Sequence, residues 1–281
     1  METVSILIPC YNNEEHVGAA IESALNQTWP DCEIIIVDDG SDDDSLSVAR
    51  RYESEEVRVL TQENQGAGAA RNRALRASSG EYIQFLDADD LLHPRKIEAQ
   101  ISALREKPAG TVAVCSTVYF QDGKPPENGR RAEGEHIPWL SSNDPVQCLI
   151  NLWMPGRGWG MVGVHAWLTP CDVIEDAGLW AEYTNPDDDG EFFTRALLQS
   201  EGMKYVKEGC VYYRQHSGER VSGLVSEDAL RGLLRSTDTR RDHVLPRTTE
   251  ENREEAKYVI ARRYWNVAVR SLPISSDISK E

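Results

Sequence analysis

Glu81-Tyr82-Ile83-Gln84-Phe85-Leu86-Asp87-Ala88-Asp89-Asp90 is the stretch whose reading decides the fold. An apolar, β-prone run ends abruptly in three carboxylates within four positions, a poor composition for a buried strand and a good one for a strand tip that holds a cation. Working outward, Val4-Ser5-Ile6-Leu7-Ile8-Pro9 reads as a buried strand stopped by proline. Asn12 or Asn13 is expected to cap a following helix, which carries Val17, Ile21, Ala24 and Leu25 on its core face. Glu33-Ile34-Ile35-Ile36-Val37 is a second strand, broken by Asp38-Asp39-Gly40-Ser41-Asp42 before a helical stretch at residues 43–52. Val57-Arg58-Val59-Leu60 makes a third, after which Asn64-Gln65-Gly66-Ala67-Gly68 turns the chain into an alanine-rich helix. Strand and helix alternating at this spacing predict right-handed β-α-β units and a parallel sheet, whose ligands bind beyond the carboxyl ends of the strands. Pro9-Cys10-Tyr11-Asn12, Asp38-Asp39-Gly40-Ser41 and Asp87-Ala88-Asp89-Asp90 all fall at that edge.

Beyond residue 93 the pattern predicts a helix over 94–105, a strand over 111–120 and a long irregular loop over 121–160. A strand over 162–168 and helices over 172–177 and 189–199 follow. Residues 205–206 and 211–213 read as a late hairpin or strand pair, and helices are expected over about 226–242 and 249–271.

The 281 residues, 40% hydrophobic and 7% aromatic, suffice for one large α/β domain with an appendage. A formal charge of −17 opposes attraction to nucleic acid or to an anionic bilayer. A phosphorylated ligand is still admissible where arginines, backbone amides and a divalent cation override the global field. Six scattered cysteines, with no close pair, predict reduced thiols and a cytosolic setting. No run approaches the ~18 apolar residues of a membrane span, so membrane association would be peripheral, at the inner face.

Gly66-Ala67-Gly68 opens a helix after a strand, but Arg71 stands where a dinucleotide fingerprint needs its third glycine, which excludes NAD and FAD. The same loop suits a phosphate, since the helix amino terminus offers free amides and Arg71 adds a planar cation. The bland alternative is a surface arginine on a solvated helix. Asp87, Asp89 and Asp90 would repel one another unless a cation neutralised them, and hard oxygen ligands point to Mg²⁺ or Mn²⁺.

Ile8-Pro9-Cys10-Tyr11-Asn12, Val37-Asp38-Asp39-Gly40-Ser41-Asp42, Asn64-Gln65-Gly66 with Ala70-Arg71-Asn72, and Leu86-Asp87-Ala88-Asp89-Asp90 stand in one order and spacing. Over residues 4–96 the chain thereby resembles the inverting family 2 glycosyltransferases of the GT-A fold. The resemblance implies a hexosyltransferase-type enzyme that moves a sugar from a nucleotide diphosphate, with a UDP-sugar as the expected donor. The acceptor would be a hydroxyl in the synthesis of a cell-surface polysaccharide or glycoconjugate. It implies an α/β GT-A catalytic domain over 1–220, with its nucleotide-sugar half at 1–110 and its acceptor half at 111–220, and a helical extension at 221–281. Carried over residue by residue, Pro9, Tyr11, Asn12, Asp39, Gly66, Arg71, Asp87 and Ala88 would bind the nucleotide sugar. Asp89, with Asp90, would hold the metal.

The second half resembles the family less closely. Asp188-Asp189-Gly190-Glu191-Phe192-Phe193-Thr194-Arg195 looks like the family's Glu-Asp motif at a helix head, with Asp188 in place of the usual Glu. Asp189 is then the candidate general base, with Asp188 as the alternative. The competing reading is that residues 187–189 merely cap a helix. Tyr212-Tyr213-Arg214-Gln215-His216 resembles a late segment whose histidine completes the metal shell or contacts the diphosphate. Trp159, between glycines, is an acceptor-stacking candidate, whereas Trp153, Trp167 and Trp180 are better read as packing. The helical extension could pack against a second copy.

Two other functions stay open. A nucleotidyltransferase would want a glycine- and lysine-bearing loop after the first strand, which Pro9-Cys10-Tyr11-Asn12 lacks. A non-catalytic carbohydrate-binding protein draws slight support from Asp188.

Overall fold

A computed structural model of the protein describes residues 2–131, 141–154, 162–183, 186–215 and 226–271. The amino-terminal third follows the predicted alternation. Strands β1 (Val4–Cys10), β2 (Cys32–Asp38), β3 (Val57–Thr61) and β4 (Tyr82–Phe85) are interleaved with helices α1 (Val17–Leu25), α2 (Ser45–Arg50) and α3 (Ala67–Ala77). β1 pairs in parallel with both β2 and β4, and β2 with β3, so all four carboxyl ends share one edge. Both faces of this sheet are covered: Ile6, Leu7, Ile8, Ile34, Ile35, Ile36 and Val37 are buried, as unbroken apolar runs require.

Helix α1 begins later than expected. Asn12 takes a positive φ of 47°, and its Oδ1 accepts the Asp42 N–H (2.8 Å), while its own N–H donates to Ser41 Oγ (3.0 Å). Asn13 N–H likewise donates to Ser45 Oγ (2.6 Å), and Asp44 N–H to Glu14 Oε2 (2.8 Å). These side chains lock the loops after β1 and β2 together instead of capping a helix.

The next elements are β5 (Leu91–Leu92), α4 (Lys96–Leu104), β6 (Val112–Gln121), β7 (Arg130–Arg131) and α5 (Pro145–Trp153). They are followed by β8 (Trp167–Pro170), α6 (Cys171–Ala177), α7 (Asp188–Leu198), β9 (Met203–Gln215), α8 (Glu227–Val244) and α9 (Arg253–Ser271). The sheet runs β3-β2-β1-β4-β8-β6-β9-β5, with β7 on β6. It is mixed, because β8 lies antiparallel to both β4 and β6.

Three expectations change here. The loop assigned to 121–160 contains α5, with Asp144 as a true cap accepting from Val146 and Gln147 N–H. Residues 164–166 form a 3₁₀ turn, so the strand expected over 162–168 starts at Trp167. The late strand pair is one strand, β9, parallel to β6 across a bulge between Cys115 and Ser116. Gly209 tolerates that irregular stretch beside the backbone of Lys96, which a Cβ would meet at 3.2 Å. All six cysteines are free thiols.

Candidate active site

The edge where β1, β2 and β4 end carries the first group of site residues. Asp39 is buried and fully engaged: its Oδ1 accepts from Gln62 Nε2 (2.7 Å) and Gln65 N–H (3.0 Å), its Oδ2 from Gly66 N–H (2.8 Å). It therefore holds Gly66 at φ 89°, a conformation glycine adopts without penalty, at the start of α3. Tyr11 is exposed at this edge, beside Pro9 and Asn12, and Ala88 is buried between the acidic residues.

Each residue of Ala70-Arg71-Asn72 has a distinct task. Ala70 packs fully buried on the sheet. Asn72 accepts the Trp180 N–H on Oδ1 (2.8 Å) and donates through Nδ2 to Trp180 O (3.0 Å) and Glu182 Oε1 (2.8 Å). Arg71, contrary to the solvated-helix alternative, is 5% exposed. Its Nη2 donates to Asp87 Oδ1 (2.9 Å) and its Nη1 to Asp188 Oδ2 (2.6 Å), with the guanidinium 4.5 Å above the Trp180 ring. One buried planar cation thus joins the acidic tip of β4 to the head of α7.

Below this bridge, Trp180 stacks on Phe192 (4.0 Å, 6°) and Trp167 on Phe193 (4.4 Å, 9°), with Phe85 edge-on to Trp180 and Phe192. These rings fix α7 against β4 and β8. Trp167 and Trp180 are accordingly core residues, as expected. Gly68 is needed for the same approach, since a Cβ there would collide with the Ala181 carbonyl oxygen.

At the acidic tip, Asp87 is partly buried, which pushes its carboxyl above the ordinary range; Arg71 offsets part of this and the charge of Asp89 adds to it. Asp90 is buried, with Oδ1 accepting the Arg214 N–H (2.7 Å) and Oδ2 lying 3.3 Å from His165 Nδ1. Arg214 also donates through Nε to the Asp89 carbonyl (2.7 Å) and through Nη1 to Asp122 (2.7 Å), which clips the end of β9 to the tip of β4. Asp87, Asp90 and His165 place one ligand atom each within 4.8 Å of one another. Burial pulls His165 down to about 3, so its ring is neutral at physiological pH, the state in which imidazole binds metal. Neither ring nitrogen has a hydrogen bond of good geometry.

His165 was not singled out from the sequence, although a histidine inside the apolar run at 162–168 was a visible anomaly. The turn that carries it is held by three buried polar side chains. Gln84 Nε2 donates to His165 O (2.9 Å), Gln100 Nε2 to Ala166 O (3.0 Å) and Lys96 Nζ to Trp167 O (3.1 Å) and Gln84 Oε1. His216 and Trp159 lie outside the described residues.

Across the site, Asp187, Asp188 and Asp189 form the head of α7. Asp187 is not a conventional cap; its Oδ2 accepts from Ser236 Oγ (2.8 Å), Arg240 Nη2 (2.5 Å) and Arg263 Nη2 (2.7 Å). Burial opposes ionisation of Asp187, but the two arginines outweigh it and hold the carboxyl below the usual range. Asp189 is pushed up to about 7, by burial first and then by the charges of Asp188 and Asp187. Its Oδ1 accepts the Gly190 N–H (2.7 Å). Beside it lies a cavity of about 40 Å³, walled by Leu152, Trp153, Val162, Trp167 and Phe193 together with Arg240.

An α/β sheet whose strand ends carry an acidic cluster, the amino terminus of α3 and, opposite, a carboxylate of raised pKa is an arrangement suited to an anionic ligand held with a cation. Residues 5–161 match the family described as Glycosyl transferase family 2, and the chain belongs to that family. It is 30% identical over 227 residues to EpsH of Bacillus subtilis (strain 168), covering 77% of this chain and 62% of that protein. It is 43% identical over 105 residues to the chondroitin synthase of Escherichia coli, covering 37% of this chain and 15% of that one. The chain thus spans less than two thirds of the length of these curated relatives.

Among solved structures, S. aureus TarS 1–349 in complex with UDP-GlcNAc superposes with a TM-score of 0.67 at 17% identity, over 99% of this chain and 85% of that one. The mannosyltransferase PcManGT of Pyrobaculum calidifontis, in complex with GDP-Man and Mn2+, gives 0.63 at 15%, over 98% and 76%. These likenesses establish the GT-A fold. No helix among the described residues is long and apolar enough to cross a membrane.

Proposed function

We propose that the protein is a metal-dependent, inverting hexosyltransferase that moves a sugar from a nucleotide diphosphate, a UDP-sugar first among the candidates, to an acceptor hydroxyl in polysaccharide or glycoconjugate synthesis. The observation that carries this reading is the opposition of two acidic clusters, Asp87, Asp89 and Asp90 just beyond β4 and Asp188 and Asp189 at the head of α7, joined by Arg71 through Asp87 and Asp188. In-line displacement with inversion needs charge stabilisation at the leaving diphosphate and a base on the far side of the sugar. The relatives' nucleotide-sugar complexes and the chondroitin synthase likeness support the donor class and the polysaccharide setting.

A divalent cation suits the acidic tip. Its ligands are hard carboxylate oxygens with one neutral, deeply buried imidazole behind them, a donor set that takes Mn²⁺ and tolerates Mg²⁺. Asp87 would hold it, with Asp89 of the same acidic run as a further carboxylate. Asp90 and His165 would complete the group with Asp87, and His216, outside the described residues, is a further candidate. When bound, the ion supplies a positive charge to the departing diphosphate.

The remaining work belongs to the chain. Tyr11, Pro9 and Asn12 wall the nucleoside pocket, while Asp39 fixes Gly66 so that the α3 amides face the phosphates. Arg71 keeps Asp87 and Asp188 in place. Asp189, ionised, takes the proton from the acceptor hydroxyl as that oxygen attacks the anomeric carbon. Asp188 is the alternative base, but its Oδ2 is already engaged by Arg71. Trp159 remains the candidate for stacking on the acceptor sugar.

The test is donor hydrolysis and transfer over a panel of UDP-, GDP- and dTDP-sugars with Mn²⁺, with nucleotide binding followed by calorimetry. Asp189→Asn should lower turnover by roughly 10²–10⁴-fold with nucleotide binding retained. Inactivity on the whole panel together with no nucleotide binding would sink the reading.

A further inference from the structure

Three consecutive carboxylates head α7, and two of them are taken by arginines from opposite directions. Arg71 of α3 holds Asp188 (2.6 Å), while Arg240 of α8 and Arg263 of α9 hold Asp187 (2.5 and 2.7 Å). Among the described residues Asp189 has no cation within ion-pair distance. Arg240 is 1% exposed, and its Nε and Nη1 have no hydrogen-bond partner. For stability alone this is a poor arrangement, since well-packed apolar residues usually serve as well as a buried ion pair. The chain nevertheless makes room for it. A Cβ at position 190 would run into Arg240 Nη2 and come within 2.5 Å of Asp187 Oδ1, so Gly190 is what admits the guanidinium to the first turn of α7.

We propose that Arg240 and Arg263, the residues of the carboxyl-terminal helices that grip Asp187, are positioning residues for the base: through Asp187 they hold the first turn of α7 so that Asp189 faces the acceptor. The proposal rests on the reading of Asp189 as base. The carboxyl-terminal helices are then part of the catalytic apparatus even though neither needs to touch substrate.

The charged groups around Asp189 are Asp187 and Asp188 beside it in the chain, Arg71 from α3, Arg240 from α8 and Arg263 from α9 by way of Asp187. The walls contributed by α5 and β8 beside it are apolar: Leu149, Leu152, Trp153 and Trp167. Removing Arg240 leaves Asp187 less neutralised and takes a cation from Asp189, so Asp189 must titrate at higher pH. A role in stability alone would lower the melting temperature without that movement.

The experiment compares Arg240→Met, Arg240→Lys and Arg263→Met with the wild-type chain. Hydrolysis of the donor identified by the panel is followed from about pH 5 to about pH 9, and UDP binding with Mn²⁺ by calorimetry. We expect kcat for Arg240→Met to fall about 10–100-fold with UDP affinity within twofold, and the acid limb of kcat/KM to move upward by half a pH unit or more. Arg240→Lys, which keeps a cation, should restore the limb. Arg263 is about a quarter exposed, and Arg263→Met should show the same pattern more weakly, serving in place of Arg240→Met if that variant does not fold.

The aspartate carboxyl resonance that disappears in Asp189→Asn gives the titration directly by carbon NMR, whether or not a donor is turned over. A folded Arg240→Met with wild-type kcat and an unmoved Asp189 titration overturns the proposal. Full activity of Asp189→Asn would instead overturn the base assignment on which it rests.

Discussion

Replacing Arg71 with methionine removes the buried cation that Asp87 and Asp188 share. Two charge-assisted hydrogen bonds are lost (2.9 and 2.6 Å), as is the contact over Trp180, and two carboxylates are left facing one another. Breaking a buried pair from one side costs about 3–5 kcal/mol. Here the carboxylates keep 34% and 23% of their side-chain surface in solvent, so water returns part of the loss. We expect a deficit of about 2–3 kcal/mol near neutral pH, or roughly 3–5 °C in melting temperature for a chain of this length.

The pH dependence has a definite sign. Asp87 already has a folded-state pKa above its ordinary value, so its contribution to stability is favourable below the unfolded value and is lost as pH rises through the folded one. Arg71 restrains that loss. Without it the carboxyl rises further, and the deficit of Arg71→Met should be largest near neutral pH and shrink as pH falls toward about 5. Urea denaturation at both ends of that range, with Arg71→Lys as the variant that keeps charge but loses the fork, measures it. A deficit below about 0.5 kcal/mol, within the usual range for surface changes, or one independent of pH, would refute the reasoning.

Donor hydrolysis should fall away as pH drops below about 7, the value to which Asp189 is pushed, because a protonated Asp189 cannot accept a proton; an acid limb in the ordinary aspartate range would count against it as base. Chelation should abolish turnover and weaken UDP binding, with Mn²⁺ restoring both; unchanged UDP affinity in chelator would argue against an ion at Asp87 and Asp89. Gly68→Ala drives a methyl into the Ala181 carbonyl and should destabilise by about 1–3 kcal/mol, read by urea denaturation, whereas a neutral result would show that the 180–182 segment is free to retreat. Burial pulls Lys96 down to about 7, so wild type should gain stability relative to Lys96→Met at about 1.4 kcal/mol per pH unit between about pH 7 and 10.5; a flat difference would mean the ammonium is solvated.

What was legible in the sequence was local. Continuous apolar runs such as Glu33-Ile34-Ile35-Ile36-Val37 can be little other than buried parallel strands, and the polar clusters that stop them mark the ligand edge. Asn12 reads as a helix cap from sequence alone because its partners, Ser41 and Asp42, arrive from another loop. The late strand reads as two because a bulge interrupts its alternation near Gly209. His165, Arg240 and Arg263 were missed for the same reason. Each acquires its meaning from a residue more than fifty positions away, and a single buried histidine or arginine carries no periodicity to announce that.

The clip between β9 and the tip of β4 has a consequence for the order in which the protein can be assembled. Strand β9 fills the gap between β6 and β5, and Arg214 near its end supplies the N–H and guanidinium that engage Asp90, the Asp89 carbonyl and Asp122. A chain emerging from the ribosome therefore presents its acidic tip more than a hundred residues before the strand that secures it. The four amino-terminal strands can pair early, since their contacts are comparatively close in sequence, but the sheet cannot close until β9 threads into place. Closure of that gap, a long-range parallel pairing, is the step expected to limit folding.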